Sequence, residues 1–570
     1  MLDEPPLQRD DQEEAFVVGS SQQQQQQQQQ YLESSCDGTP TLSTGLRILY
    51  GLNGATLALP TTALLYIVNT RVSMPLEYLS AYGAIAFLPF SLKPMFAYVS
   101  EQFPRRDCLL VSLLVLSSLS IAATALIPEG GIVWCFLLAF LRGLTSAWPE
   151  FLLGITLVDE AQQQRQPSAT TNSTSRNFSG SLWETTAARF QSQAATSRNI
   201  GSLLAFVSVL LLFVLRHQQL NDVVVNSMMF ATGSLNIFGA VVGWIYRVGA
   251  PALYTRADTE DEMETSSCDV DNSTSLESQI EAPIEDSTSN DGSSYVNAFL
   301  LTTLQLTILI FALQDFLINA TSLVCWRISL GFLLLCLLVC AGLTFHRGWT
   351  LPHCVGIFLI VKHSMPTTTY LMTSFLYDVF QSTPILLQLH SLFAMTATTM
   401  ASWLYGRLLA PFGGNRFWWV VAGTTAAYAA ASLLNLLAVG LADDHHVGKI
   451  PLFFLLGGLW FGTTFFSEWF FLPSTVLATT SVVSPTGPGS TTKEEAAATR
   501  MRYGALVSCI DFGSQIGAWL TVPLIASLRI NRDNGYSNID SFIGLCAAMS
   551  FAPLLLIPLL RQHEQLMGRR

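Results

Sequence analysis

In the stretch SLKPMFAYVSEQFPRR, residues 91–106, four charged side chains stand in a mostly apolar run: Lys93, Glu101, Arg105 and Arg106. A carboxylate followed four and five residues later by arginines can make charge-assisted, two-pronged hydrogen bonds. At a helix end the same carboxylate can also face the positive N-terminus of the next helix. Such a network holds one arrangement of two helix ends and releases in another. Plain anchoring of the arginines at an interface is the simpler alternative. Lys93 lies eight residues before Glu101, about 12 Å along a helix. An ammonium so far inside an apolar run needs a cavity or a partner, unless its stem lets it reach back to the water.

Other ionisable residues are placed in the same way. Arg142 and Glu150 are eight residues apart, two turns on one helical face, where they could neutralise each other. Glu468 sits within GLWFGTTFFSEWFF and Asp511 within ALVSCIDFGSQIGAWL. Ionisable groups inside apolar spans are candidates for binding or proton transfer. Lys93, Arg142, Glu150, Glu468 and Asp511 are therefore the candidate substrate-binding or proton-coupling residues. Glu101, Arg105 and Arg106 are the candidate gate, which Asp159 and Arg198 can join at the mouth.

Catalytic signatures do not accompany them. The chain has no phosphate-binding lysine loop, no H-E-x-x-H and no G-x-S-x-G. The ten cysteines are scattered without C-x-x-C, and read as small apolar residues. No enzyme, metal, cofactor or nucleic-acid partner is expected.

The elements that must position these groups are long apolar helices. The 570 residues are 50% hydrophobic and 12% charged, with a mean hydropathy of +0.41. A soluble domain carries about 25% charged residues. By the measure of about 20 apolar residues per crossing, about fourteen spans are predicted. They fall near 47–68, 77–100, 107–127, 132–157, 190–215, 225–247, 297–318, 323–345, 351–378, 386–410, 416–440, 450–478, 502–528 and 539–561. The lipid bilayer is thus the expected environment.

The net charge of −12 describes two tails rather than the spans. Residues 1–46, with a glutamine run, hold eight acids and one arginine, and residues 248–296 hold twelve acids and one arginine. Both are too polar to bury a core and are predicted to be disordered. The remainder carries 26 basic and 20 acidic groups. Lysine and arginine divide thirteen to five between the loops of the two sides, which predicts cytoplasmic termini. No signal peptide is evident, and the plasma membrane is favoured over an organelle.

The halves echo each other weakly. FAYVSEQFPRRDCLLVS has a counterpart in LYGRLLAPFGGNRFWWVV at 404–421. The expected organisation is a tail (1–46), a six-helix half (47–247), an acidic cytoplasmic loop (248–296), an inserted helix pair (297–345), a second six-helix half (351–561) and a short tail (562–570).

LPFSLKPMFAYVSEQFPRR resembles the K-P-l-y-G-l-l-S-D signature of the folate–biopterin transporter family, a branch of the major facilitator superfamily. Lys93, Pro94 and Ser100 match, Glu101 stands for the aspartate, and Ala97 replaces the glycine. PEFLLGITLVDE resembles that family's D-x-x-x-D-x-x-x-x-E through Glu150 and Asp159, with Gly154 in place of the middle acid. SRNIGSLLAF, SWLYGRLL, FFSEWFFLPSTVLA and ALVSCIDFGSQIGAWL are similar to later helices. The resemblance implies an all-α polytopic membrane protein of the major facilitator type, with two six-helix halves plus an extra helix pair. It implies secondary active transport of a folate, pterin or related heteroaromatic solute by alternating access. Glu150 or Asp511 could carry a coupled proton if burial raises its affinity for one. The loss of the acid at Gly154 leaves open another metabolite, such as S-adenosylmethionine, or a transport-inactive receptor or scaffold.

Overall fold

A computed structural model describes residues 41–73, 82, 85–103, 105–163, 178–215, 221–249, 351–369, 371–372, 375, 384–412, 416–443, 449–481, 493–530 and 535–567. Nearly all of the expected N-terminal tail, most of the acidic loop and the whole pair 297–345 lie outside these residues.

The described residues fold into helices at twelve of the fourteen expected positions. In the first half they are α1 (Thr44–Ala58, continuing over Thr61–Tyr66), α2 (Lys93–Gln102, entered through a tight turn at Leu88–Leu92) and α3 (Arg106–Ala125). α4 (Ile132–Gln163), α5 (Phe178–Leu215) and α6 (Asp222–Ile245) complete it. In the second half they are α7 (Leu351–His363), α8 (Pro384–Leu404), α9 (Phe417–Ser432, continuing over Leu434–Asp443), α10 (Lys449–Thr480), α11 (Lys493–Ser527) and α12 (Ile539–Ser550, continuing over Ile557–Met567). Seven of the described helices are long and apolar enough to cross a membrane on their own account. Among the described residues the other helices fall short of that limit.

Helices α4, α5 and α11 run past the apolar limits read from the sequence. α4 continues to Gln163, α5 begins at Phe178 and α11 begins at Lys493. Their extensions, which include DEAQQ, ETTAAR and KEEAAATR, hold residues that favour helix without favouring lipid. A hydropathy limit stops where the apolar run stops, whereas the backbone continues until a breaker arrives.

Packing repeats between the halves. α1 packs on α5 and α7 on α11; α3 packs on α6 and α9 on α12; α2 meets α11 and α5 meets α8 across the seam. The α1–α5 crossing is close because it is lined by glycine. A Cβ at Gly201 would lie 1.8 Å from the Gly51 carbonyl oxygen, and one at Gly54 would lie 1.9 Å from that of Arg198. Such small-residue contacts let backbones approach where lipid offers no hydrophobic drive to association. The echo noted in the sequence falls on the junction between the second and third helices of each half.

One apolar cluster runs across both halves, through Phe96, Phe151, Phe358, Tyr405, Leu472 and Ile510. At the opposite end each half has a core of its own, around Ile67, Phe213 and Met229 in one and Met372, Leu456 and Phe542 in the other.

Candidate functional site

The last turn of α2, the first of α3, the last turns of α4 and the early turns of α11 converge at one end of the bundle. Arg106 grips Glu101 with Nη2, at 2.7 Å from Oε1 and 2.8 Å from Oε2. Arg500, on the other half, places Nε 3.2 Å from Asp159 Oδ1 and Nη1 3.4 Å from Glu101 Oε1. Arg106 Nη1 closes the ring at 3.7 Å from Asp159 Oδ2. Two carboxylates and two guanidiniums thus alternate, and Arg500 alone reaches them from α11. Each charge has two opposite neighbours, which offsets the cost of their partial burial.

Two of the predicted gate residues lie elsewhere. Arg105 is exposed and binds Asp107 at 3.0 Å, since its position two residues before that acid turns it along its own strand of chain. Arg198 faces the interior, with Nη1 3.8 Å from Glu150 Oε1. The second cation of the ring is Arg500, which lies two residues before the apolar span expected at 502–528.

Deeper in the bundle, Lys93 opens α2 and is almost fully buried. Its Nζ donates to Asp511 Oδ2 of α11 at 2.6 Å. Lys93 and Glu101 on α2 therefore face Asp511 and Arg500 on α11 as two antiparallel rungs of opposite polarity. The rungs differ in spacing, eight residues on one helix and eleven on the other, yet both sets stay on facing sides.

Glu150 is drawn to Arg198 of α5, not to Arg142 on its own helix. The Gly154 position, one turn further on, is filled from α11. A Cβ there would stand 3.1 Å from the Tyr503 hydroxyl, which is hydrogen-bonded to Gln191. Arg142 sits apart, with Nη2 3.5 Å from the Tyr82 hydroxyl, and its buried Nη1 has no hydrogen-bond partner among the described residues.

Glu468 marks the second seam. Its Oε1 accepts from Ser402 Oγ of α8 at 2.9 Å and from Asn199 Nδ2 of α5 at 3.3 Å. Asn199 also donates to Ser402 Oγ at 2.8 Å, so the carboxylate joins three helices. Trp469 next to it donates its indole N–H to the Ala401 carbonyl at 2.9 Å. Other aromatics of this stretch pack on one another, Phe465 lying tilted against Trp469 at 4.8 Å between ring centres. The described residues hold no cluster of metal-ligating side chains.

The site is thus a seam between two six-helix halves, closed at one end by an ionic ring and crossed inside by a buried lysine–aspartate pair. The fold is that of a multi-pass membrane protein of the major facilitator type, as the solved structures it resembles show. The chain is similar to the proton:xylose symporter XylE bound to 6-bromo-6-deoxy-D-glucose, at 12% identity and a TM-score of 0.52, over 90% of this chain and 94% of that one. It is also similar to the partially occluded inward-open form of XylE from E. coli, at 11% identity and a TM-score of 0.51, over 90% and 95%. The POT family transporter PepTSo matches at 11% identity and a TM-score of 0.50, over 92% and 99%. No family model and no curated protein matches the sequence.

Proposed function

We propose that the chain is a secondary active transporter that moves a small heteroaromatic solute of the folate or pterin type, coupled to protons, by alternating access. The observation that carries this reading is the Lys93–Asp511 pair, which joins the two halves inside the bundle at 2.6 Å. A pterin presents amino and ring N–H donors that a carboxylate accepts in parallel, and a folate adds carboxylates that suit lysine or arginine. Asp511 and Glu150 with Lys93 and Arg198 offer both signs along one seam. The K-P motif around Lys93 and the E-x-x-x-G-x-x-x-x-D pattern of α4 support the solute class by resemblance, and the xylose symporter supplies a precedent for a proton moving with a small solute on this fold.

In this reading the ring of Glu101, Arg106, Asp159 and Arg500 is the closed cytoplasmic gate, as the lysine and arginine distribution requires. The structure then corresponds to a state open or opening to the outside, in which the substrate displaces Lys93 from Asp511. The plasma membrane remains the favoured location. The test is uptake of labelled folate and of labelled biopterin by cells expressing the full chain, with and without an inward proton gradient. Uptake that rises with the gradient and vanishes in Lys93→Met supports the reading. Surface expression without uptake of either solute overturns the solute class.

A further inference from the structure

The end of α7 meets the middle of α10 in a polar cluster that the seam does not use. Lys362 is wholly buried. Its Nζ donates to the Phe470 carbonyl at 2.6 Å and to Ser474 Oγ at 2.8 Å, and stands 4.3 Å from the centre of the Phe470 ring. His363, the next residue, places Nε2 3.0 Å from the same Ser474 Oγ. Its ring packs against Phe470 and Phe471.

The surrounding charges are engaged elsewhere. Asp511 of α11 is held by Lys93, and Glu468 of α10 by Ser402 and Asn199. Cys509 of α11 faces Gly356, and Tyr428 of α9 stacks on Phe470 at 4.6 Å. Arg561 of α12 belongs to the charged end, where α7 begins, and Lys362 lies about 16 Å along α7 from that end. Among the described residues no carboxylate pairs with Lys362.

Two bases linked by one hydroxyl, buried with no carboxylate partner among the described residues, cannot both be charged without a large desolvation and repulsion cost. We infer that Lys362, Ser474 and His363 form a proton-binding site that holds a single proton, shared between the amine and the imidazole through the serine hydroxyl. In the transfer, the Lys362 ammonium gives a proton to Ser474 Oγ while Ser474 passes its own hydrogen to His363 Nε2. A neutral amine and an imidazolium result, and the reverse transfer restores the start. One proton changes place and nothing is oxidised or reduced. Both bases are buried, His363 at 8% exposed and Lys362 at 0%.

The site is placed to convert that proton into movement. α7 ends at His363, and the chain is non-helical over 364–368. Pro473, beside Ser474, interrupts the hydrogen-bond ladder of α10. Both helices therefore have a flexible point where the proton binds. Gly513 and Gly517 bring α11 against the same break: a Cβ at either would lie 2.7 Å from the Ile360 carbonyl or 2.6 Å from that of Met365. What the movement serves rests on the transport reading above; the presence of the proton does not.

The test is a pH titration of the full-length protein in detergent, following the histidine ring bands by infrared difference spectroscopy. His363→Gln identifies the His363 transition by its loss. Ser474→Ala keeps both bases and removes the bridge, and Lys362→Met removes the partner base. Each is expected to move the His363 transition by about one pH unit or more, a tenfold change in proton affinity. A transition that stays in place in both variants overturns the shared site. Uptake driven by a proton gradient is measured on the same preparations after reconstitution. A linked transition without uptake of folate or biopterin overturns the solute class and keeps the site, and uptake with an unlinked transition refutes the site and keeps the transport reading.

Discussion

Lys93 and Asp511 are 418 positions apart in the chain and 2.6 Å apart in space. The lysine side chain is 5% exposed and the aspartate 24%, so neither charge is well solvated without the other. Removing one partner of a buried pair costs about 3–5 kcal/mol, because the other is left uncompensated. Lys93→Met is therefore expected to lower the melting temperature of the purified protein, and Lys93→Met/Asp511→Leu to recover most of the loss. Lys93→Arg keeps the charge but not its shape, and should fold while transporting below the wild-type rate. A double-mutant cycle in thermal unfolding reads the coupling directly, and additive effects would remove the pair from the account.

The ionic ring predicts a different behaviour for Arg500. Replacing it by glutamine leaves Glu101 and Asp159 with Arg106 alone, and cuts the bridge to the second half. Both carboxylates stay partly neutralised, so the protein should still fold. The charged end should open more often. A cysteine introduced at Ala97, one turn inside Glu101 on α2 and buried in the cluster shared by the two halves, should then react with a hydrophilic maleimide about tenfold faster than in the parent, which corresponds to about 1.4 kcal/mol lost from the closed state. An equal labelling rate would show that the apolar cluster around Phe96 and Phe358, not the ring, keeps this end shut.

How far the sequence could be read depends on what each signal measures. The helical spans were legible because a run of about 20 apolar residues has few other uses, and the polar extensions of α4, α5 and α11 were not, because hydropathy is blind to helix propensity. Glu101 and Arg106 were legible from their spacing, being on adjacent elements. Arg500 was not, since nothing local ties it to a residue 399 positions away. One signal was present: Arg500 and Asp511 are three turns apart on α11, hence on one face, as a cation and an anion facing the anion and cation of α2. Arg105 misled because two neighbouring arginines look alike in sequence, while only one of them starts the helix that points at Glu101. The vacancy at Gly154 was visible as a missing acid, but the Tyr503 hydroxyl that fills the space comes from the other half of the chain.

The α1–α5 crossing makes a prediction about folding rather than chemistry. Gly201→Ala would set a methyl group 1.8 Å from the Gly51 carbonyl oxygen, a separation that no rotamer can relieve. The helices would have to part, with loss of the Ser202 Oγ to Gly54 carbonyl bond at 3.0 Å. Overpacking of this kind costs about 1–3 kcal/mol, so the expected result is a lower melting temperature and less protein at the membrane. Gly423→Ala, on α9, meets open space and serves as the control. Equal stability of the two variants would mean that the crossing is looser than described.

Glu468 separates structural from functional demand most cleanly. Its described hydrogen bonds all run to Oε1, from Ser402 at 2.9 Å and Asn199 at 3.3 Å. Glutamine keeps a carbonyl oxygen at that position, so Glu468→Gln preserves both bonds and should leave the unfolding free energy within about 1 kcal/mol of the parent. Leucine removes that acceptor, so Ser402 is left with the Thr398 carbonyl at 2.8 Å and Asn199 with Ser402 Oγ at 2.8 Å, and the lost hydrogen bonds to a charged group are worth about 1.5–3 kcal/mol each. Glu468→Leu should therefore be the less stable protein although it carries no charge. If Glu468 is a coupling carboxylate, the glutamine variant should still exchange solute across the membrane and fail to accumulate it against a gradient, because a permanently neutral side chain can bind no proton. If the residue only ties α5, α8 and α10 together, glutamine should accumulate solute as the parent does and leucine should do neither. Measuring exchange and accumulation on the same vesicles distinguishes the two, and a glutamine variant with normal accumulation would strike Glu468 from the coupling residues.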